Sequence, residues 1–227
     1  MIPFRDDNPR LEFPFITTIL LAANISVHVF RWFMPETDST NIILAFGAIP
    51  DRILAGEGIF TLFTSMYLHG DIVHLIGNML YLWVFGDNVE NIMGPIKFII
   101  FYHLCGLGAT MMHVFIEPAS HIPMIGASGA ISGVLGAYLL QFPRARVSVV
   151  VPVLIFLHTM RIPAFFVLGI WFVFQILSGL GALENGARDG IAWFAHIGGF
   201  VIGMLLLRFF QDPKRVLTYR YHNSYFD

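Results

Sequence analysis

Charge is scarce in this chain: Asp, Glu, Lys and Arg make up 12% of its 227 residues, about half the share found in soluble domains. So little charge cannot clothe a water-facing surface, which argues against soluble enzymes, disordered tails and nucleic-acid binders. The 13 basic and 15 acidic residues leave a net charge of -2, so no nucleic acid or other polyanion is expected as a partner. Cysteine is almost missing, and the lone Cys105 rules out an intrachain disulfide and any CxxC metal or redox motif. No histidine is followed by glutamate, so the zinc motif HExxH is absent, and no Asp or Glu stands between Glu117 and Glu184. Carboxylate proton relays and paired-aspartate catalysis lack their raw material there. No metal and no other cofactor is expected.

What the chain has is apolar: 56% hydrophobic residues with 23 Phe and a mean hydropathy of +0.72. These values describe an integral membrane protein embedded in a lipid bilayer. A spanning helix needs about 20 mostly apolar residues, and such runs occupy 13–34, 72–85, 96–116, 124–142, 163–183 and 191–210. The second is short, and residues 60–68 before it are read as entering the interface ahead of the span. A further apolar piece, 147–160, is β-branched at its start, contains Pro152 and lies between Arg144, Arg146 and Arg161. It is read as interfacial or re-entrant. The fold class expected is therefore an all-α polytopic bundle of six transmembrane helices, with an interfacial segment between helices four and five.

Basic residues orient the bundle, because cytoplasmic loops carry the excess of Lys and Arg. With the N-terminus inside, ten of them fall inside (Arg5, Arg10, Lys97, Arg144, Arg146, Arg161, Arg208, Lys214, Arg215, Arg220) and three outside (Arg31, Arg52, Arg188). Both termini are thus expected in the cytoplasm: a tail at 1–12, a membrane domain at 13–210 and a second tail at 211–227. Residues 1–12 are polar and the first apolar run ends without an A-x-A-like cleavage site, so it is read as a retained anchor. The chain has no internal repeat, and the long loop 35–59 is expected to carry structure of its own. The lack of a transit peptide and of appended domains fits a prokaryotic plasma membrane.

Helices two, four and six all run from outside to inside, so residues near their N-terminal ends share one depth. The polar residues there are His69, His74, Asn78, Ser128, Ser132 and His196. Ser128 lies in GASG at the start of an apolar helix, where orphan N–H groups and the positive end of the helix dipole can hold an oxyanion. A serine at such a place is often only a cap, and GxSG alone is weak. His196, in AHIGG, sits about 10 Å into the last span, and a neutral imidazole bonded to a serine hydroxyl is the arrangement that activates it. Gly129 with Gly133, and Gly199 with Gly203, form GxxxG pairs that can bring helices four and six close, although the pattern also serves plain packing. His74 and Asn78, spaced i, i+4 in HLIGN, share one helix face and can donate two hydrogen bonds to an oxyanion or clamp two helices.

The chain resembles the rhomboid intramembrane serine proteases. The matching pieces are HGDIVHLIGN (69–78), GDNVENIMG (86–94), GASGAISG (126–133) and AHIGG (195–199), and the resemblance covers about residues 13–210. It implies Ser128 as nucleophile, His196 as general base, and His74, Asn78 and the Ser128 backbone N–H as the oxyanion hole. Gly126, Gly129, Gly133, Gly199 and Gly203 are read as structural, as are Glu90 and Gly94, which match the family's ExxxG. The resemblance also implies transmembrane protein substrates, cut near helix-breaking residues, with helix five beside their entry. Two departures stand out: Ser132 occupies the place of an aromatic that in many members packs on the catalytic histidine, and Phe60 with Thr61 replaces a Trp-Arg pair of the first loop. The 147–160 stretch resembles an insertion seen in part of the family. The rival readings are an inactive relative serving as a binding or quality-control scaffold, and a small transporter, which lacks the expected acid pairs and repeats. The oligomeric state is unknown from sequence.

Overall fold

The computed structural model describes residues 1–153, 156–185 and 192–223. Arg188, the start of the last apolar run at 191 and the tail end 224–227 lie outside the described residues, as does the Arg220 side chain. The chain runs through strand β1 (Ile2–Asp6) and helices α1 (Phe15–Trp32), α2 (Glu36–Phe46), α3 (Pro50–Leu54) and α4 (Thr61–Thr64), the last followed by one tight turn at Ser65–Tyr67. Then come α5 (Ile72–Met93), α6 (Pro95–Ile116), α7 (Ser128–Gln141), β2 (Arg146–Val153), β3 (Phe156–Pro163), α8 (Ala164–Asn185), α9 (Trp193–Phe210) and α10 (Pro213–Asn223).

Among the described residues, four helices are long and apolar enough to cross a membrane: α1, α6, α8 and α9. The other two runs read as spans from the sequence also form helices, α5 and α7. α7 has 14 residues, about 21 Å at 1.5 Å per residue, and residues 130–138 along it are buried without a break. It is the inner helix of the bundle, packed on α5, α6 and α9. Tyr102, Tyr138, Phe85, Phe98, Phe101 and Phe200 fill the core around it. The outer helices point Phe30, Phe166, Phe174, Leu177, Leu205 and Phe209 outward and exposed, an apolar coat that water would penalise and lipid would not.

α5 continues eight residues past the apolar run that marks it, to Met93. Its polar end is paid for by partners from both tails. Asp87 takes the Arg10 guanidinium at 2.8 Å, Asn91 accepts the Glu12 N–H, and the Tyr219 hydroxyl of α10 donates to Asn88. Glu90 accepts from the Ile16 and Thr17 N–H groups at 2.9 and 2.8 Å and from the Thr17 hydroxyl, so it caps α1, whose first N–H groups have no partner within the helix. Gly94 then turns the chain with φ of 79°, a conformation that favours glycine. The structural reading of Glu90 and Gly94 acquires a mechanism from these contacts.

The all-α expectation needs correction, because β1, β2 and β3 form a three-stranded antiparallel sheet. The stretch read as an interfacial segment lies within the β2–β3 hairpin, with Val149 opposite Met160 and Val147 opposite Ile162. The N-terminal tail supplies β1, pairing Ile2 with Val150 and Asp6 with Val147. The reason is visible in RVSVVVPV: Val147 and Val149 alternate onto the core side and are fully buried, the period-two pattern of a strand. β-branched residues favour it, and pairing satisfies the backbone of a segment too short to span. The loop 35–59 carries structure as expected, in α2 and α3.

Candidate active site

Asp71 places the first site residue. Its carboxylate accepts the N–H groups of Val73 and His74 at 2.8 and 2.9 Å, capping α5, and these bonds hold its carboxyl below the usual aspartate range. Asn78 follows one turn later, and its amide nitrogen is buried with no hydrogen-bond partner. A buried donor left unbonded costs about 1–3 kcal/mol, so it stands ready for an acceptor. The His74 ring meets that of the buried His69 edge to face at 5.0 Å.

The loop before Ser128 is pinned from two sides. Met124 exchanges backbone hydrogen bonds with Ala48 at 2.8 and 3.0 Å, and the Gly126 N–H donates to the Ser65 carbonyl at 2.9 Å. Gly126 has φ of 123°, and a methyl group built on it would lie 2.8 Å from His74 Nε2 and 3.6 Å from Ser128 Oγ. His74 and Ser128 therefore border one small space that only glycine leaves open. α7 begins at Ser128 with no side chain capping its N-terminus, so the N–H groups of its first turn face the same end. A small cleft opens there, lined by Ser65, Thr110, Gly126, Ser128 and Ala195 among others.

Across that cleft stands α9. Its Gly199 and Gly203 back onto the Gly129 and Gly133 carbonyls of α7 so closely that a methyl group at either would strike backbone. The approach predicted from the two GxxxG pairs is thus made, and Ser128 Oγ lies 2.8 Å from His196 Nε2. On the far side of the ring, His196 Nδ1 lies 2.7 Å from Gln175 Oε1 of α8. The Trp171 and Trp193 rings flank the imidazole with centroids at 6.1 and 6.3 Å. Ser132 turns its hydroxyl back to the Ser128 carbonyl at 2.6 Å, and the aromatic rings beside His196 come from α8 and the start of α9.

Gln175 and the two tryptophans are the residues that sequence reasoning missed. The signal for Gln175 was available: it is an amide in the middle of an otherwise apolar helix, where an unpaired polar group is costly. Helix five runs opposite to helices two, four and six in the expected topology, so depth counted from helix N-termini does not place Gln175 with the other polar residues. Among the described residues no group of three or more His, Cys, Asp or Glu side chains could hold a metal ion.

The chain is thus a helical membrane protein that holds a serine hydroxyl against a histidine, beside a cleft at a helix N-terminus. The family description "Rhomboid domain" matches residues 56–212, and the chain belongs to the rhomboid family. It is 34% identical over 119 residues to the Rhomboid protease GluP of Bacillus subtilis, covering 51% of this chain and 23% of that protein. To the Rhomboid protease AarA of Providencia stuartii it is 26% identical over 208 residues, covering 84% of this chain and 70% of that one. To Rhomboid protein 1, mitochondrial, of Saccharomyces cerevisiae it is 29% identical over 146 residues, covering 62% and 39%. The chain spans less than two fifths of the length of the first and third of these relatives. Because bacterial and mitochondrial proteins both appear among them, membership does not select a prokaryotic plasma membrane.

Proposed function

We propose that this protein is a serine endopeptidase that hydrolyses membrane-anchored proteins within or near their transmembrane segments. The observation that carries the reading is the 2.8 Å contact between Ser128 Oγ and His196 Nε2, inside a helical bundle and beside a cleft. The bundle is read as six crossings, α1, α5, α6, α7, α8 and α9, with both termini and the β-sheet on the cytoplasmic side, as the ten-to-three distribution of basic residues favours. α7 is shorter than a bilayer core, but it is enclosed by other helices and need not meet lipid along its length.

In this mechanism His196 Nε2 accepts the Ser128 hydroxyl proton as Oγ attacks the scissile carbonyl carbon. The carbonyl oxygen becomes an oxyanion, held by the Ser128 N–H, the Asn78 amide and the His74 ring at the mouth of the Gly126 space. His196 returns the proton to the leaving amine, and a water entering through the cleft then hydrolyses the acyl-enzyme with His196 again as base. A substrate helix must unwind before reaction, since its hydrogen bonds hide its carbonyls, and Gly or Pro near the cut lowers that cost. The same geometry speaks against an inactive scaffold, which has no need to keep the serine and histidine bonded.

Labelling by a fluorophosphonate probe tests the proposal without a known substrate. The protein in liposomes should label, and Ser128→Ala and His196→Ala should not. A folded wild-type protein that never labels, or a Ser128→Ala variant that still cleaves a transmembrane model substrate, would overturn it.

A further inference from the structure

We infer that Gln175 of α8 is a positioning residue for His196, which makes the site a three-member relay of serine, histidine and amide. The inference deepens the peptidase reading above and rests on it. His196 must keep Nε2 free of a proton to accept one from Ser128, so its single proton belongs on Nδ1. Gln175 Oε1, an acceptor, lies 2.7 Å from that nitrogen. The other end of the amide fixes which atom faces the ring, because Gln175 Nε2 donates to the Trp171 carbonyl one helical turn back, at 3.4 Å. Gln175 is 4% exposed and so is held away from competing water. The amide therefore sets both the tautomer and the rotation of the imidazole.

No acidic side chain takes this part. The titratable groups that act on His196 from the other helices are His74 of α5 and His113 of α6, neither of which hydrogen-bonds its ring in the described contacts. A neutral amide orients the base without fixing a charge beside it, which suits a site set among apolar helices where a lone carboxylate would be costly. The placement also makes α8 part of the catalytic apparatus. Ala164, Val167, Leu168, Gln175 and Gly179 are buried, while Phe166, Ile170, Phe174 and Leu177 face outward.

The test compares wild type with Gln175→Leu, which keeps the bulk but cannot accept a hydrogen bond, and with Gln175→Glu, which keeps an acceptor. Cleavage of a transmembrane model substrate in liposomes gives kcat and KM, and ring-15N NMR of His196 gives the tautomer without needing activity. A correctly oriented general base is worth about 10²–10⁴-fold, so Gln175→Leu is expected to lose about 10- to 100-fold in kcat with KM changed less. Gln175→Glu should recover most of that loss and shift the acid limb of the pH–rate profile upward. In the spectra, wild type should carry the proton on Nδ1 and Gln175→Leu should lose that single state. A folded Gln175→Leu with wild-type kcat and unchanged ring signals overturns the inference, as does a folded Gln175→Glu no better than the leucine variant. Should wild type fail to label with fluorophosphonate, the peptidase reading falls, while the ring-15N comparison still decides what Gln175 does to His196.

Discussion

Gly199 of α9 rests against the carbonyl of Gly129 on α7, so closely that a methyl group added at Gly199 would strike that carbonyl. Gly129 follows Ser128 directly and Gly199 lies three residues after His196, so this backbone contact sits within one turn of both reacting side chains. The 2.8 Å separation of Ser128 and His196 goes with the side chains that α9 lacks at Gly199 and Gly203, both of which back onto α7 carbonyls.

Gly199→Ala should therefore push α9 away from α7. Overpacking of this kind costs about 1–3 kcal/mol, and thermal unfolding in detergent should report it as a lowered Tm. Fluorophosphonate labelling should fall with it, because the dyad opens. Gly169→Ala on α8, where an added methyl meets nothing within 4 Å, is the matched control and should leave both readings in place.

Asn78 and His74, proposed above as oxyanion donors, should in that role act on kcat and leave KM nearly alone, since the charge they would hold exists only in the transition state. Asn78→Ala and His74→Ala are each expected to lower kcat by about 10²–10³-fold with folding retained. Equal losses in KM would instead assign these side chains to substrate binding or to helix packing.

Asp71 should give the N-terminal end of α5 a dependence on pH. Its carboxyl is held below the ordinary value chiefly by the His74 N–H bond, so its contribution is present above the unfolded pKa and is lost as pH falls through the lowered folded one. Asp71→Asn, an equally good cap, should keep activity at neutral pH and abolish the acid-side loss attributable to this group. Asp71→Ala should weaken the turn carrying His74 by about 0.5–2 kcal/mol, read as faster amide exchange at residues 72–75.

Asp6 predicts the opposite sign at the other end of the molecule. Burial, helped by the nearby charges of Asp87 and Asp7 and opposed by hydrogen bonds from Tyr138 and Asn8, pushes its carboxyl from the ordinary 3.8 up to about 7. The protonated form is the one favoured in the folded state, so its stabilising contribution is full below 3.8 and is lost as pH rises through about 7. The protection of β1 amides, taken relative to their intrinsic exchange rate at each pH, should accordingly fall from pH 5 to pH 8, and Asp6→Asn should remove that trend. A β1 segment whose protection is indifferent to pH in the wild type would contradict this account.

The sequence alone was enough to mark six apolar runs, each of which forms a helix, and to bring Ser128, His196, His74 and Asn78 forward as one set. Hydropathy and residue spacing are local properties, and a helix satisfies its own backbone within its own segment, so such elements can be read from the chain without knowing their neighbours. The GxxxG pairs were legible for the same reason, although only the packed structure shows which helices they join. The sheet was harder, because β1 and β2 pair Ile2 with Val150 across most of the chain and no local signal links them. The polar C-terminal end of α5 is likewise held by Arg10, Glu12 and Tyr219, which reach it from both ends of the sequence. Gln175 marks the limit most sharply: its composition says that a mid-helix amide needs a partner, but the choice of His196 depends on how α8 is rotated against α9. That rotation is set by the packing of side chains such as Phe172 on Phe200, stacked at 4.3 Å, and packing is decided only when all the helices are present together.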